Sequence, residues 1–215
     1  MNTRRKKGWI VRPPRAWFLP RDTDTMSLLR AQVRTVRSAV DLLAAWPVGS
    51  PPPSTSVRDL AALLGREEAQ RRATHAAVRT AFSTPLAAED LFELAERLGE
   101  FTEAVYMLVR EADLTGTPVD PALRDQVAPV VTATAWLVQA VDALPDDRAA
   151  EIADTAADRL QAAEHAYRVA ITALEAEPDL RAELRRRELY RRAEHLVAAA
   201  HAVARRIWYA VCKIS

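Results

Sequence analysis

Acidic residues recur at helical spacing in the middle of this 215-residue chain. Intervals of four and three residues separate Glu89, Glu93, Glu96, Glu100 and Glu103. On a helix with 3.6 residues per turn, such spacing places the carboxylates in one line along a single face. Because like charges at these spacings repel each other, the line needs a counter-charge from neighbouring arginines, a bound cation or a partner protein. Carboxylates of adjacent helices suit iron, manganese or zinc, whereas a solvated face beside arginines is the commoner arrangement.

The histidines offer a second set of potential metal ligands. Each of the four falls in a segment that reads as helix: His75, His165, His195 and His201. Glu68 and His75 stand two turns apart on one predicted helix, and Glu194 and His201 have the same spacing on another. This spacing permits a shared cation without demanding one, since a partly satisfied surface histidine is more common than a ligand.

Recognisable catalytic motifs are absent from the sequence. It contains no glycine-rich phosphate loop, no Gly-x-Ser-x-Gly turn, no Cys-x-x-Cys and no His-Glu-x-x-His. A carboxylate-bridged di-iron oxidase would require Glu-x-x-His on two helices, and Tyr167 follows Glu164 at that distance. Because no nucleophile stands beside a base, the sequence predicts a protein that is not an enzyme.

Composition indicates an all-α protein in a reducing compartment. The chain has only 5 glycines and 6% aromatic residues, and it is rich in alanine, which loses no side-chain entropy in a helix. The single cysteine, Cys212, excludes an internal disulfide framework. No segment approaches the roughly 20 apolar residues of a membrane span. We therefore expect a cytoplasmic protein.

Turn signals divide the chain into six predicted helices, at about 23–46, 56–82, 86–112, 121–143, 147–176 and 178–213. Thr23 or Thr25 could cap the first. Pro85 forces Thr84 out of helical geometry, which ends the second helix, and proline also fits the first turn of the third. The predicted helices form two groups of three, at about 23–114 and 120–215.

Residues 1–22 read as an extended basic arm that precedes the helices. Prolines at 13, 14 and 20 exclude a helix interior. Residues 1–21 contain seven basic residues and no acidic one, which leaves the rest of the chain acidic. Contact with an anionic membrane or with a partner is predicted for six residues: Arg4, Arg5, Lys6, Lys7, Trp9 and Trp17. The alternative is a disordered tail that only aids solubility.

The segment FSTPLAAEDLFEL, residues 82–94, resembles the phenylalanine-x-threonine-proline turn of PhoU-like phosphate transport regulators. Its matching positions are Phe82, Thr84, Pro85, Glu89 and Asp90. Residues 188–215 are similar to the last helix of that family, and the resemblance covers about residues 16–215. The branch it resembles most is encoded beside Pit-type inorganic phosphate permeases. The resemblance implies six long helices in two three-helix bundles, and an accessory role in phosphate uptake.

Several relatives in that family bind iron or zinc clusters through paired acids on the long helices. The acids retained here at the matching positions are Glu68, Glu100, Glu103, Glu164 and Glu194. Leu64 and Ala198 stand where partner acids would fall, and four basic residues share the face of the sixth helix: Arg187, Arg191, His201 and Arg205. No cofactor is therefore expected, and divalent iron, zinc or manganese would bind weakly. The arginines could instead neutralise the acidic line of the third helix or meet an acidic partner.

The expected function is that of a cytoplasmic accessory protein, located at the inner face of the membrane, which contacts a Pit-type phosphate permease. A helical scaffold or signalling adaptor unrelated to phosphate is the alternative. Nucleic-acid binding through the arm ranks last, because the body is acidic and lacks a basic recognition helix. Homodimerisation is left open.

Overall fold

The structure, a computed structural model, describes residues 24–213. These residues form six α-helices and one short 3-10 helix at Leu174–Ala176: α1 Thr25–Ala44, α2 Ser54–Thr80, α3 Ala88–Thr115, α4 Pro121–Ala143, α5 Arg148–Ala173 and α6 Leu180–Cys212. The described part contains no strand, only an isolated bridge between Val48 and Val119. The predicted all-α fold is confirmed. The predicted arm, residues 1–22, lies outside the described residues.

In three of the six helices an N-cap aspartate accepts a hydrogen bond from a backbone N–H of the first turn through its side chain. Asp24 caps α1, where its carboxylate accepts the backbone N–H of Ser27 at 3.1 Å and also the Ser27 hydroxyl. These hydrogen bonds lower the pKa of Asp24. The predicted threonine caps at 23 and 25 are therefore wrong, because the aspartate between them places a charged acceptor at the positive end of the helix. Asp120 and Asp179 cap α4 and α6 in the same way.

The α2–α3 junction is a longer connection than the sequence predicts. α2 ends at Thr80 rather than Phe82, and Ala81 is already extended at ψ 133°. Pro85 does not lie in the first turn of α3, which begins at Ala88. The reason is a separate turn in which the Thr84 hydroxyl donates to the carbonyl of Leu86 at 2.6 Å. The Leu86 side chain is buried and anchors this turn to the core.

The helices pack as two triplets that share one core. α1, α2 and α3 contact one another, as do α4, α5 and α6. The triplets meet where α1 packs on α4 and α3 packs on α6, so that α2 and α5 lie on opposite outer sides. Leu29, Leu98, Leu137 and Ile207, from the four central helices, are fully buried in this core. The two three-helix bundles are confirmed.

Consecutive helices run in opposite directions, which gives the molecule two distinct ends. We call the end where α1, α3 and α5 begin and α2, α4 and α6 finish the entry end, because the described chain starts there. Arg30 of α1 contacts Asp142 of α4 there at 3.7 Å. At the opposite end, the far end, the Tyr190 hydroxyl donates to Asp120 at 2.5 Å. No helix within residues 24–213 combines the length and apolarity needed to cross a bilayer.

Candidate functional site

Arginines supply most of the counter-charge for the acidic line on α3. Arg97, which lies within the line, pairs with Glu93 at 3.4 Å and with Glu100 at 2.8 Å. Arg71 of α2 pairs with Glu96 at 3.3 Å. These are contacts of partly exposed side chains, each of which stabilises the fold by less than about 1 kcal/mol. The line is therefore a solvated face with arginine neighbours, which was the commoner of the arrangements considered.

Two of the basic residues of α6 pair within their own helix and do not contact the acidic line of α3. Arg187 pairs with Glu183 at 2.8 Å and Arg191 pairs with Glu188 at 2.9 Å, both within α6 itself. The hypothesis that these two arginines neutralise the acidic line is wrong, because spacings of three and four residues offer each a nearer partner. Arg205 is exposed.

The buried ionic contact between α3 and α6 is made by Asp90, a carboxylate at the start of α3. Its side chain is 1% exposed and accepts from Arg206 at 2.6 Å and from Lys213 at 3.4 Å. Both bases also lie over the ring of Tyr209, at 5.0 and 5.2 Å from its centroid. This cluster joins the two triplets at the entry end.

A groove between α5 and α6 brings together two of the five predicted metal ligands. Glu164 and Glu194 line it with His201, around a volume of about 380 Å³. His201 Nε2 approaches Glu164 at 3.4 Å without a hydrogen bond, and burial lowers the pKa of His201. Arg168 lies on the other side of Glu164 at 3.7 Å. A cation here would meet an arginine beside one of its two carboxylates.

The other three predicted ligands lie on the outer surface of the first triplet. Glu68 pairs with Arg72 at 2.9 Å, Glu100 pairs with Arg97, and Glu103 is exposed. Arginine pairing favours the charged carboxylate without leaving it free for a cation. No contact joins these three acids into one cluster.

The spacing of Glu68 and His75 permitted a shared cation, but the two side chains have different partners, Arg72 and Glu96. His75 Nε2 approaches Glu96 of α3 at 3.2 Å, and its ring stacks on Phe92 with centroids 4.2 Å apart. His75–Glu96 therefore joins the second and third helices of the first triplet. His201–Glu164 joins the second and third helices of the other triplet.

The donor set does not fit a multinuclear metal centre. Nowhere in residues 24–213 do three histidine, cysteine or carboxylate side chains converge closely enough to hold a metal ion. Structural metal sites need about four ligands with closed geometry, and the predicted ligands are divided between the groove and the surface of the first triplet. Weak binding of divalent iron, zinc or manganese stays a prediction.

Sequence reasoning missed Glu67, which is 1% exposed between α1, α2 and α3. Gln32 donates to its Oε1 at 2.7 Å, and burial raises the pKa of Glu67. Gly99 of α3 makes room for it, because an added Cβ there would lie 3.0 Å from Glu67 Oε1 and 2.8 Å from Arg71 Nη1. A glycine in mid-helix was the one available signal of this close approach.

Solved structures share this arrangement of helices. A protein from Shewanella oneidensis MR-1, provisionally named a PhoU-like phosphate regulatory protein, superposes with a TM-score of 0.65 over 88% of this chain and 99% of its own. The fold is PhoU-like. A second PhoU-like protein from the same organism gives a TM-score of 0.64 over 87% and 99% of the two chains. Both are 14% identical to this chain. No family model and no curated protein matches the sequence.

The segment that resembles the PhoU-like turn contains some residues that the fold requires and one that it does not. The Thr84 hydroxyl closes the turn onto Leu86, and Asp90 is the buried partner of Arg206. Phe82, in contrast, is 93% exposed. Thr84 and Asp90 therefore have structural roles in the described residues, whereas folding gives no reason for an aromatic side chain at position 82.

Proposed function

We propose that this protein is a non-enzymatic accessory protein that regulates inorganic phosphate transport by contact with a membrane permease. The observation that supports this most is the match of the whole two-triplet architecture, over 99% of a chain named for phosphate regulation. The surface chemistry agrees with the proposal. Glu93, Glu96 and Glu100 are each paired with a basic side chain on an outer face rather than gathered around a reactive group.

A Pit-type phosphate permease is the proposed partner, on the cytoplasmic side of the membrane. The support is the resemblance of residues 82–94 to the turn found in the branch associated with such permeases. The basic residues near the N-terminus would hold the protein beside its partner, since each basic residue near an anionic leaflet contributes about 1 kcal/mol. Arg4, Arg5, Lys6, Lys7, Trp9 and Trp17 are the proposed contact residues.

Co-purification from gently solubilised native membranes tests this proposal. The full chain is compared with a full-length variant in which Arg4, Arg5, Lys6 and Lys7 are replaced by glutamine. We expect a phosphate permease in the first preparation and several-fold less of it in the second. A natural chain recovered from membranes without any transporter would contradict the proposal and favour the adaptor alternative.

A further inference from the structure

Exposed aromatic and exposed aliphatic side chains lie at opposite ends of the molecule within the described residues. Among the large apolar side chains exposed in residues 24–213, every aromatic one lies towards the entry end: Phe82, Phe92, Trp208 and Tyr209. Every aliphatic one lies towards the far end: Val48, Leu114, Val169, Leu180 and Leu184. Scattered apolar residues on a surface need no explanation, but this division does.

Phe82 is the most exposed of these side chains, at 93%, and folding does not require it. It lies in the α2–α3 turn, which is anchored by Leu86 and closed by Thr84. Tyr209, at 47% exposure, lies at the same end of the molecule, where its neighbours Arg206 and Lys213 bind Asp90 at the start of α3. Tyrosine combines an apolar ring with a polar hydroxyl and concentrates at the headgroup level of bilayers, whereas phenylalanine is among the apolar side chains that interfacial segments bury at the headgroup–acyl boundary.

The charge at the entry end complements an anionic leaflet. The described chain begins there at Asp24, and residues 1–21, which precede it, contain seven basic residues and no acidic one. The acids beside the aromatic residues are paired, Asp90 with Arg206 and Glu89 with Lys213. Arg79 adds an exposed base in the last turn of α2.

Other acids of the entry end are engaged by neighbouring groups, and Asp24 caps α1 by accepting from Ser27. Asp142 is paired with Arg30, and Asp146 is paired with Arg148. Glu151 is exposed in the first turn of α5, and within the described residues α5 packs against neither α2 nor α3. The side of the entry end formed by α2, α3 and α6 is therefore the side suited to an anionic surface.

We propose that the entry end is a lipid-contact surface, in which Phe82 inserts into the headgroup region of an anionic bilayer. Tyr209 and Arg79 lie at the same end of the folded body. This inference rests on the proposed action at a membrane and adds the part of the folded body that meets the lipid. It requires only lipid, so it can fail independently of any contact with a permease.

Vesicle co-sedimentation tests the proposal with the full chain. Vesicles of phosphatidylcholine alone are compared with vesicles that also contain phosphatidylglycerol. The natural chain is compared with Phe82→Ser and with the control Leu180→Ser, which removes a 65% exposed apolar side chain at the far end. Neither side chain is in the core, so both variants should fold.

We expect the natural chain to bind the anionic vesicles and not the neutral ones. Phe82→Ser should weaken this binding about fivefold, the factor expected when roughly half of a phenylalanine's apolar surface leaves water. Leu180→Ser should leave it unchanged. The proposal is overturned if the natural chain ignores anionic vesicles, or if the two variants behave alike. Loss of a co-purified permease from Phe82→Ser, with vesicle binding absent throughout, would assign the surface to protein instead of lipid.

Discussion

Asp90 is a buried carboxylate at the start of α3, held by Arg206 and Lys213 from the last turns of α6. Removal of its charge leaves Arg206, itself 17% exposed, without an ionic partner in the protein interior. Breaking a buried pair from one side typically costs about 3–5 kcal/mol. We therefore expect Asp90→Asn to lower the free energy of unfolding by about 3 kcal/mol in urea titrations.

Glu89 provides the matched control for this prediction. It contacts the same Lys213 at 3.5 Å, but its side chain is 74% exposed. Glu89→Gln should change the free energy of unfolding by less than about 1 kcal/mol, as surface ion pairs usually do. Equal effects of the two substitutions would show that burial of Asp90 contributes nothing to stability.

Glu67 makes stability depend on pH with a defined sign. Because burial raises its pKa above the ordinary 4.5, the folded state binds more protons than the unfolded state between those two pKa values. Stability therefore falls as pH rises through that window, and the penalty remains above it. Glu67→Gln removes the charge and keeps an acceptor for Gln32. Relative to the natural chain, it should gain stability as the pH rises above 4.5.

The neighbouring residue separates this effect from general titration of carboxylates. Glu68 is exposed and paired with Arg72 on the surface. Urea unfolding of Glu68→Gln at the same pH values should follow the natural chain. If Glu67→Gln also follows it, the carboxylate does not bear the proposed desolvation penalty.

At the scale of elements, Gly99 determines how closely α2 approaches α3. A methyl group there would meet Arg71 Nη1 at 2.8 Å and Glu67 Oε1 at 3.0 Å, while one at Gly65 of α2 would meet nothing within 4 Å. Alanine is favoured over glycine in a helix by about 1 kcal/mol. Gly65→Ala should therefore raise the free energy of unfolding by about that amount. Gly99→Ala should raise it less or lower it, because Arg71 must leave its contact with Glu96.

Equal stabilisation by the two alanines, measured by thermal or urea unfolding, would contradict this reading of the α2–α3 contact. A crystal structure of Gly99→Ala with Arg71 still 3.3 Å from Glu96 would contradict it as well.

Local signals explain which elements could be predicted from the sequence. The predicted bounds of α4, 121–143, agree with the structure because Asp120–Pro121 starts the helix and Leu144–Pro145 ends it. The start of α3 was predicted too early, since the turn depends on burial of Leu86, which the adjacent sequence does not encode. The buried polar pairs could not be predicted from local signals. Gln32 lies 35 residues before Glu67, and Arg206 lies 116 residues after Asp90, so their pairing depends on the tertiary fold.

At the scale of the whole molecule, the fold should not depend on a metal. Its core is continuous through all six helices, and residues 24–213 gather no three metal ligands. A ligand that binds only the folded state stabilises it by RT ln(1 + [L]/Kd), so a weakly bound metal contributes little. We expect the midpoint of thermal unfolding to move by less than about 1 °C when a chelator is added to the natural chain.

Zinc titration completes that experiment. Any weak binding should be lost in Glu164→Gln, which lines the α5–α6 groove, and kept in Glu68→Gln, which does not. A large loss of thermal stability on chelation would contradict the account of the donor set.

The direct test of the regulatory role is the initial rate of radiolabelled phosphate uptake by cells that lack this protein. Uptake is measured at low and at high external phosphate, with and without the natural chain restored from a plasmid. The account predicts that removal changes the rate and that the natural chain restores it. Identical rates with and without the protein, at both phosphate levels, would contradict a role in phosphate transport.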